Sequence, residues 1–142
     1  MRFQNNYEKI DYGPNPFVTN VGKMAARNDN FRTTIWTGIQ MQMTLMSINP
    51  YGEIGLEIHP DTDQIIRVEQ GNAVVKMGKC KTHTDVMKRI GCGDVVFVPA
   101  ETWHNIVNEC GQPLKVSTIY APPHHAAGTV HRTKKDAEIE DY

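Results

Sequence analysis

Gly55-Leu56-Glu57-Ile58-His59-Pro60-Asp61-Thr62-Asp63-Gln64, read together with Pro99-Ala100-Glu101-Thr102-Trp103-His104, is where the organisation of this chain is decided. Glu57 and His59 stand at alternate positions, and in an extended strand alternate side chains point to one face. Pro60-Asp61-Thr62-Asp63 has the composition of a turn, after which the chain returns through Gln64. His104 comes much later, at the end of an apolar run stopped by Pro99. Two imidazoles, a carboxylate and an amide oxygen are a donor set that can close around one divalent metal. The competing reading of Glu57 and His59 is a solvated strand face, with Leu56 and Ile58 packing behind it. Asp61 and Asp63 are further candidate ligands, although Asp in such a turn commonly serves the turn.

Outward from that centre the signal is β. Phe31 to Thr37 is rich in β-branched and aromatic residues, and Gly38 breaks it. Gln40 to Ile48 alternates polar and apolar residues, the pattern of a half-buried strand, and Asn49-Pro50-Tyr51-Gly52 turns the chain. Strands are expected from Gln64 to Glu69, Ala73 to Gly78, Val95 to Val98, Trp103 to Val107 and Leu114 to Tyr120. Lys79 to Lys88 reads as a strand pair with a polar bend. Turns are expected at Gln70-Gly71-Asn72, Gly91-Cys92-Gly93-Asp94 and Asn108 to Pro113. Before the strands, Thr19 or Asn20 can cap a short helix through Arg27. After them, a charged run from Lys134 to Glu138 suits a short exposed helix. Many short strands with closely spaced turns and no repeats argue for an all-β sandwich or small barrel. The expected division is an N-terminal arm and helix over 1–30, a barrel over 31–121 and an irregular C-terminal tail over 122–142.

Composition narrows the function classes. Lys and Arg number 15, Asp and Glu 16, for a formal net charge of −1, so no polyanion partner is indicated and nucleic acid is not expected. No apolar run approaches the roughly 18 residues of a membrane span, and Met1 to Asn6 lacks the apolar core of a signal peptide. No membrane association and a cytoplasmic location are therefore expected. Cys80, Cys92 and Cys110 are odd in number and form no Cys-x-x-Cys pair, which speaks against a disulfide framework or a thiolate zinc site.

Gly93, Pro99, Glu101, His104 and Asn108 resemble the second half of the cupin pattern, with Glu101 where that pattern has glycine. Glu57, His59, Gln64 and Gly71 match the spacing of its first half, with Gly52 one residue out of register. The resemblance implies a cupin double-stranded β-helix, a jelly-roll barrel, and within the superfamily the chain resembles the small single-domain, sugar-phosphate-isomerase-like proteins of cupin 2 type. It also implies that Glu57, His59, Gln64 and His104 take the places of the metal ligands around zinc, manganese, iron or nickel. It makes Asn108 a structural turn anchor. The zinc-dependent mannose-6-phosphate isomerases, which share the barrel, use the same four ligand types. If the position of Glu101 requires φ > 0, a side chain there costs about 1 kcal/mol.

The expected function is a metal-binding protein with a small-molecule ligand, and sugar or sugar-phosphate isomerisation or epimerisation is the leading reaction. A dioxygenase is the enzymatic alternative, and a non-catalytic small-molecule or metal-binding module is the alternative of another class. A homodimer is expected, because exposed sheet edges favour such closure. Arg32, Trp36, Gln42, Thr44 and Tyr120 are candidates to line the pocket. His83 is expected at the surface. His124, His125 and His131 are read as exposed tail residues unless the tail folds over the barrel mouth.

Overall fold

The computed structural model describes residues 11–140. Helix α1 (Val21–Arg27) opens the fold, with Asn20 as its N-cap, the Asn20 side chain accepting from the Lys23 amide at 2.9 Å. Strands β1 (Arg32–Thr37), β2 (Gln42–Ile48), β3 (Asp63–Gln70), β4 (Asn72–Gly78), β5 (Val86–Gly91), β6 (Val95–Val98), β7 (Trp103–Val107) and β8 (Leu114–Ala121) follow. The short strand β9 (Val130–His131) and helix α2 (Lys134–Glu140) end it. Two antiparallel sheets result, of order β6-β3-β8-β2-β1-β9 and β5-β4-β7. This is the all-β jelly-roll barrel expected from the strand spacing, with the short N-terminal helix in place. Of the expected strand pair between Lys79 and Lys88, only the second member forms. Its first half is a tight bend closed by a single bridge between Cys80 and His83.

A third run, Glu53 to Glu57, lies along β7 as a broken strand. Ile54 donates to Ile106 at 3.0 Å, and the Glu57 and His104 backbones exchange two hydrogen bonds of 3.0 Å. Gly55 breaks the run because its φ of +111° is a region that side chains rarely adopt. Its freed amide is taken by the Asn105 side chain at 2.9 Å. The interruption turns the chain so that Glu57 stands directly opposite His104.

Alternation along the strands fills the barrel. Met46, Ile48, Ile66, Val68, Val75, Ile106, Leu114 and Val116 are buried in one cluster. α1, too short to persist alone, is held by burying Ala25 against Ile35 and Leu45 on the outer face. Each fully buried Leu or Ile contributes about 1.5–3 kcal/mol. α1 also covers the outward residues of β8, so Lys115 and Ser117 are buried there. The Lys115 ammonium reaches the Asn28 carbonyl and the Asp29 carboxylate, and Ser117 donates to Glu69. The C-terminal tail beyond Ala121 carries two short elements: β9 pairs with β1, and Ala137 of α2 enters the main core cluster.

Candidate metal centre

Three side chains named from the sequence converge. The ligand atoms of Glu57, His59 and His104 all lie within 4.8 Å of one another. Glu57 Oε2 is 3.6 Å from His59 Nε2 and 3.7 Å from His104 Nε2. Two ligands about 2.1 Å from one ion at a tetrahedral angle sit about 3.4 Å apart, so the spacing suits a shared cation with little adjustment. Both histidine rings are buried, and neither Nε2 has a hydrogen-bond partner. A buried polar atom without a partner is costly, and here the cost vanishes if a cation is bound. His104 Nδ1 lies 2.9 Å from the Thr102 carbonyl. A carbonyl only accepts, so the proton sits on Nδ1 and the Nε2 lone pair is left for a ligand. Gln64, at the start of β3, is buried on the inner face beside Tyr120 and Gln42 in register, and its Oε1 also lacks a partner.

The turn after Pro99 holds the two halves of the site together. The Glu101 amide donates to the His59 carbonyl at 2.9 Å, and Asp63 accepts from Ala100 at 2.8 Å. Asp63 is thereby engaged in the turn. Glu101 has φ 65°, the left-handed conformation that glycine would adopt freely. Asn108 bonds the carbonyls of Ile48, Asn49 and Gln112 and accepts from Cys110, the anchor role expected for it. Asn105 was not singled out by sequence reasoning. It fastens the run carrying Glu57 by donating to Glu53 while accepting from Gly55.

The electrostatics favour an anionic Glu57 beside a neutral His104. Burial by itself pushes the Glu57 carboxyl up, but the His59 ring 3.6 Å away and the fields of His104 and Arg32 outweigh it and leave the pKa lowered. Burial lowers His104 in spite of the Thr102 carbonyl and the Glu57 charge. Tyr120 is raised by burial, so it keeps its proton.

The tail histidines do not behave alike, and the reading of all three as exposed tail residues fails. His131 is buried, paired with Arg32 across β1 and β9 and in contact with Glu140. His125 is partly buried, and burial with the neighbouring Arg32 charge pushes it down to about 2. His124 is exposed, yet its ring centroid lies 4.2 Å from that of His59 and 5.5 Å from that of Tyr120. Gln42 is the cause. Its fully buried amide accepts from the backbones of His124 and His125 and donates to the His125 carbonyl. A glutamine in a strand carries no local mark of such a clamp. Arg32, Thr44 and Tyr120 face inward with Gln42, as expected. Trp36 does not: a bulge between Thr34 and Trp36 breaks the alternation, and the indole turns outward to bond Asn15. His83 is exposed and pairs with Asp85. The cysteines are free. Among the described residues no helix is long and apolar enough to cross a membrane.

The sequence profile of the cupin domain matches residues 44–120, which include Gln64 and His104. The chain is 51% identical over 127 residues to the protein YrkC of Bacillus subtilis (strain 168), covering 89% of this chain and 68% of that one. The solved structure of BH2720 from Bacillus halodurans is 45% identical, with a TM-score of 0.90 over 92% of this chain and 98% of that one. At the level of fold alone, a structure described as a sugar phosphate isomerase of the cupin superfamily from Silicibacter pomeroyi superposes with a TM-score of 0.51. That match has 20% identity and covers 59% of this chain and 52% of that one. The barrel topology and the profile match lead to one conclusion: the chain belongs to the cupin domain family.

Proposed function

We propose that Glu57, His59, Gln64 and His104 hold one divalent ion, of zinc, manganese, iron or nickel, and that the barrel mouth isomerises or epimerises a sugar or sugar phosphate. The observation that supports this most is the set of buried polar atoms without partners, His59 Nε2, His104 Nε2 and Gln64 Oε1, with the Glu57 carboxylate beside the two imidazoles. Oxygen donors beside two imidazoles suit these ions. The sugar phosphate class comes from the description of the Silicibacter neighbour and from the polar lining.

A bound ion supplies Lewis-acid polarisation of a carbonyl oxygen. The protein's own groups supply the rest. Glu57 stands at the rim with 30% of its side chain exposed, and its lowered pKa keeps it ionised, as a ligand to a cation must be. Protonated Tyr120 offers a hydrogen bond to a substrate oxygen. The Thr102 carbonyl fixes the His104 ring. We also propose a homodimer that covers edge strand β6, where Phe97 is 68% exposed; a monomer mass by light scattering at working concentration would remove that part.

The decisive experiment has two readouts. Protein purified without chelator should carry close to one equivalent of transition metal per chain. With aldoses, ketoses and their phosphates in D2O, deuterium should enter at the carbon next to the carbonyl. Metal without exchange would favour the non-catalytic binding module. Less than about a tenth of an equivalent of metal would end the metal-dependent reading altogether.

A further inference from the structure

We infer that the barrel's ligand carries an oxyanion, a carboxylate or a phosphate, and that Arg32 is the residue that grips it. The inference rests on the reading of the barrel as a ligand site and names the class of ligand.

The argument starts from which buried atoms a metal leaves unexplained. His104 Nε2 and Gln64 Oε1 are acceptors, His59 Nε2 stands 3.6 Å from the Glu57 carboxylate, and a cation at the candidate centre is the partner such atoms call for. Arg32 Nε is also buried without a partner, but it is a donor on a permanently charged group, and no cation can satisfy it. Arg32 is only 4% exposed. Among the described residues no carboxylate lies within ion-pair distance of it. A charge buried without a counter-charge is retained where something else supplies the opposite charge.

Position and orientation agree. Thr33 and Ile35 face outward, toward Asn28 and α1, so Arg32 and Thr34 face the barrel by alternation. One corner of the guanidinium is anchored, with Nη1 3.1 Å from His131 Nδ1. Arginine only donates, so Nδ1 accepts, the His131 proton sits on Nε2, and that proton points to Glu140. The Glu140 carboxylate therefore stands behind a neutral ring and orients Arg32 without meeting its charge. The guanidinium is bonded to the first ring of a chain of contacts that runs from His131 through His125 and Tyr120 to His59, with centroids 6.4, 5.2 and 5.7 Å apart in turn. It thus addresses the same space as the candidate metal centre. The exposed rim of Glu57 and the exposed ring of His124 mark the side from which a small anion enters. A planar or tetrahedral oxyanion offers the acceptors that an arginine fork matches.

The test uses full-length protein purified without chelator, with malonate and inorganic phosphate as probes and malonamide as the neutral counterpart of malonate. Calorimetric titration should show malonate, phosphate or both binding at least tenfold more tightly than malonamide, and whichever anion binds identifies the group. Arg32→Gln should weaken that binding at least tenfold while leaving metal content unchanged. Arg32→Lys retains the charge if the glutamine variant does not fold, and should weaken binding at least threefold, since ammonium lacks the fork. Equal binding of malonate, phosphate and malonamide to the parent protein, or parental affinity in whichever variant folds, would overturn the inference. Metal content on the same samples separates the two readings. Full metal without anion binding breaks this inference alone, and anion binding through Arg32 without metal breaks the metal reading alone.

Discussion

The two ends of the barrel are built from the same strands and obey opposite rules. Along β3, Gln64 lies at the mouth and Val68 at the base; along β8, Tyr120 and Leu114; along β2, Gln42 and Ile48; along β7, His104 and Ile106. All eight are buried. At the base the buried groups are apolar and satisfy one another by contact. At the mouth they are polar, and several keep an atom with no partner. Burial by itself therefore does not distinguish core from site. What separates them is whether the protein completes its own interactions or leaves them for something else to complete.

The comparison breaks most visibly at its base. Ile106→Ala removes a fully buried side chain and should cost about 3 kcal/mol by chemical denaturation, with metal content per folded chain unchanged. At the mouth, the expectation is a metal-linked stability. Metal at a hundredfold excess over its dissociation constant should stabilise the parent protein by about 2.7 kcal/mol. His59→Ala and His104→Ala should lose that increment and the metal itself while still folding. Full metal content in both variants would place the ion elsewhere.

A smaller effect should appear in the pH dependence. His125, held neutral down to about 2, takes up a proton near 6.5 when unfolded. The unfolded chain thus binds more protons than the folded one below that pH. Stability should fall as pH drops from about 6.5, by at most about 1.4 kcal/mol per unit for this group. His125→Phe should flatten the slope between pH 7 and 5 in denaturation midpoints, and an unchanged slope would show that His125 is not its source. The smallest change is at the turn joining the two halves of the site. Glu101→Gly relieves a left-handed side chain and should alter stability by no more than about 1 kcal/mol, without loss of metal.

Much of the architecture was legible. The capping Asn20, the β-branched runs and the Gly- and Pro-rich turns mark most elements within a few residues of their observed limits, because they act through local conformational preference. Glu57 and His59 were legible too, as alternation places them on one face, and the family resemblance supplied His104 as their distant partner. The hydrogen bond that cost Trp36 its expected place is long-range, reaching back to Asn15 after a bulge that no local pattern announces. Gln42 looks like any alternating polar residue until the tail passes over it. Asn105 is explained only by the segment it fastens.

By itself the sequence determined an all-β sandwich or small barrel and its turns, because period-2 alternation and turn chemistry are local properties of a chain, while the cupin type and the pairing of Glu57 and His59 with His104 came from the family resemblance. The tertiary structure decided which buried polar groups are left unanswered. It brought Glu57 against His104 through the break at Gly55, laid His124 on His59 through Gln42, and set Arg32 in the barrel with no carboxylate beside it among the described residues. The physical reason is that satisfaction of a buried polar group depends on every segment that reaches it, and those segments are far apart in sequence.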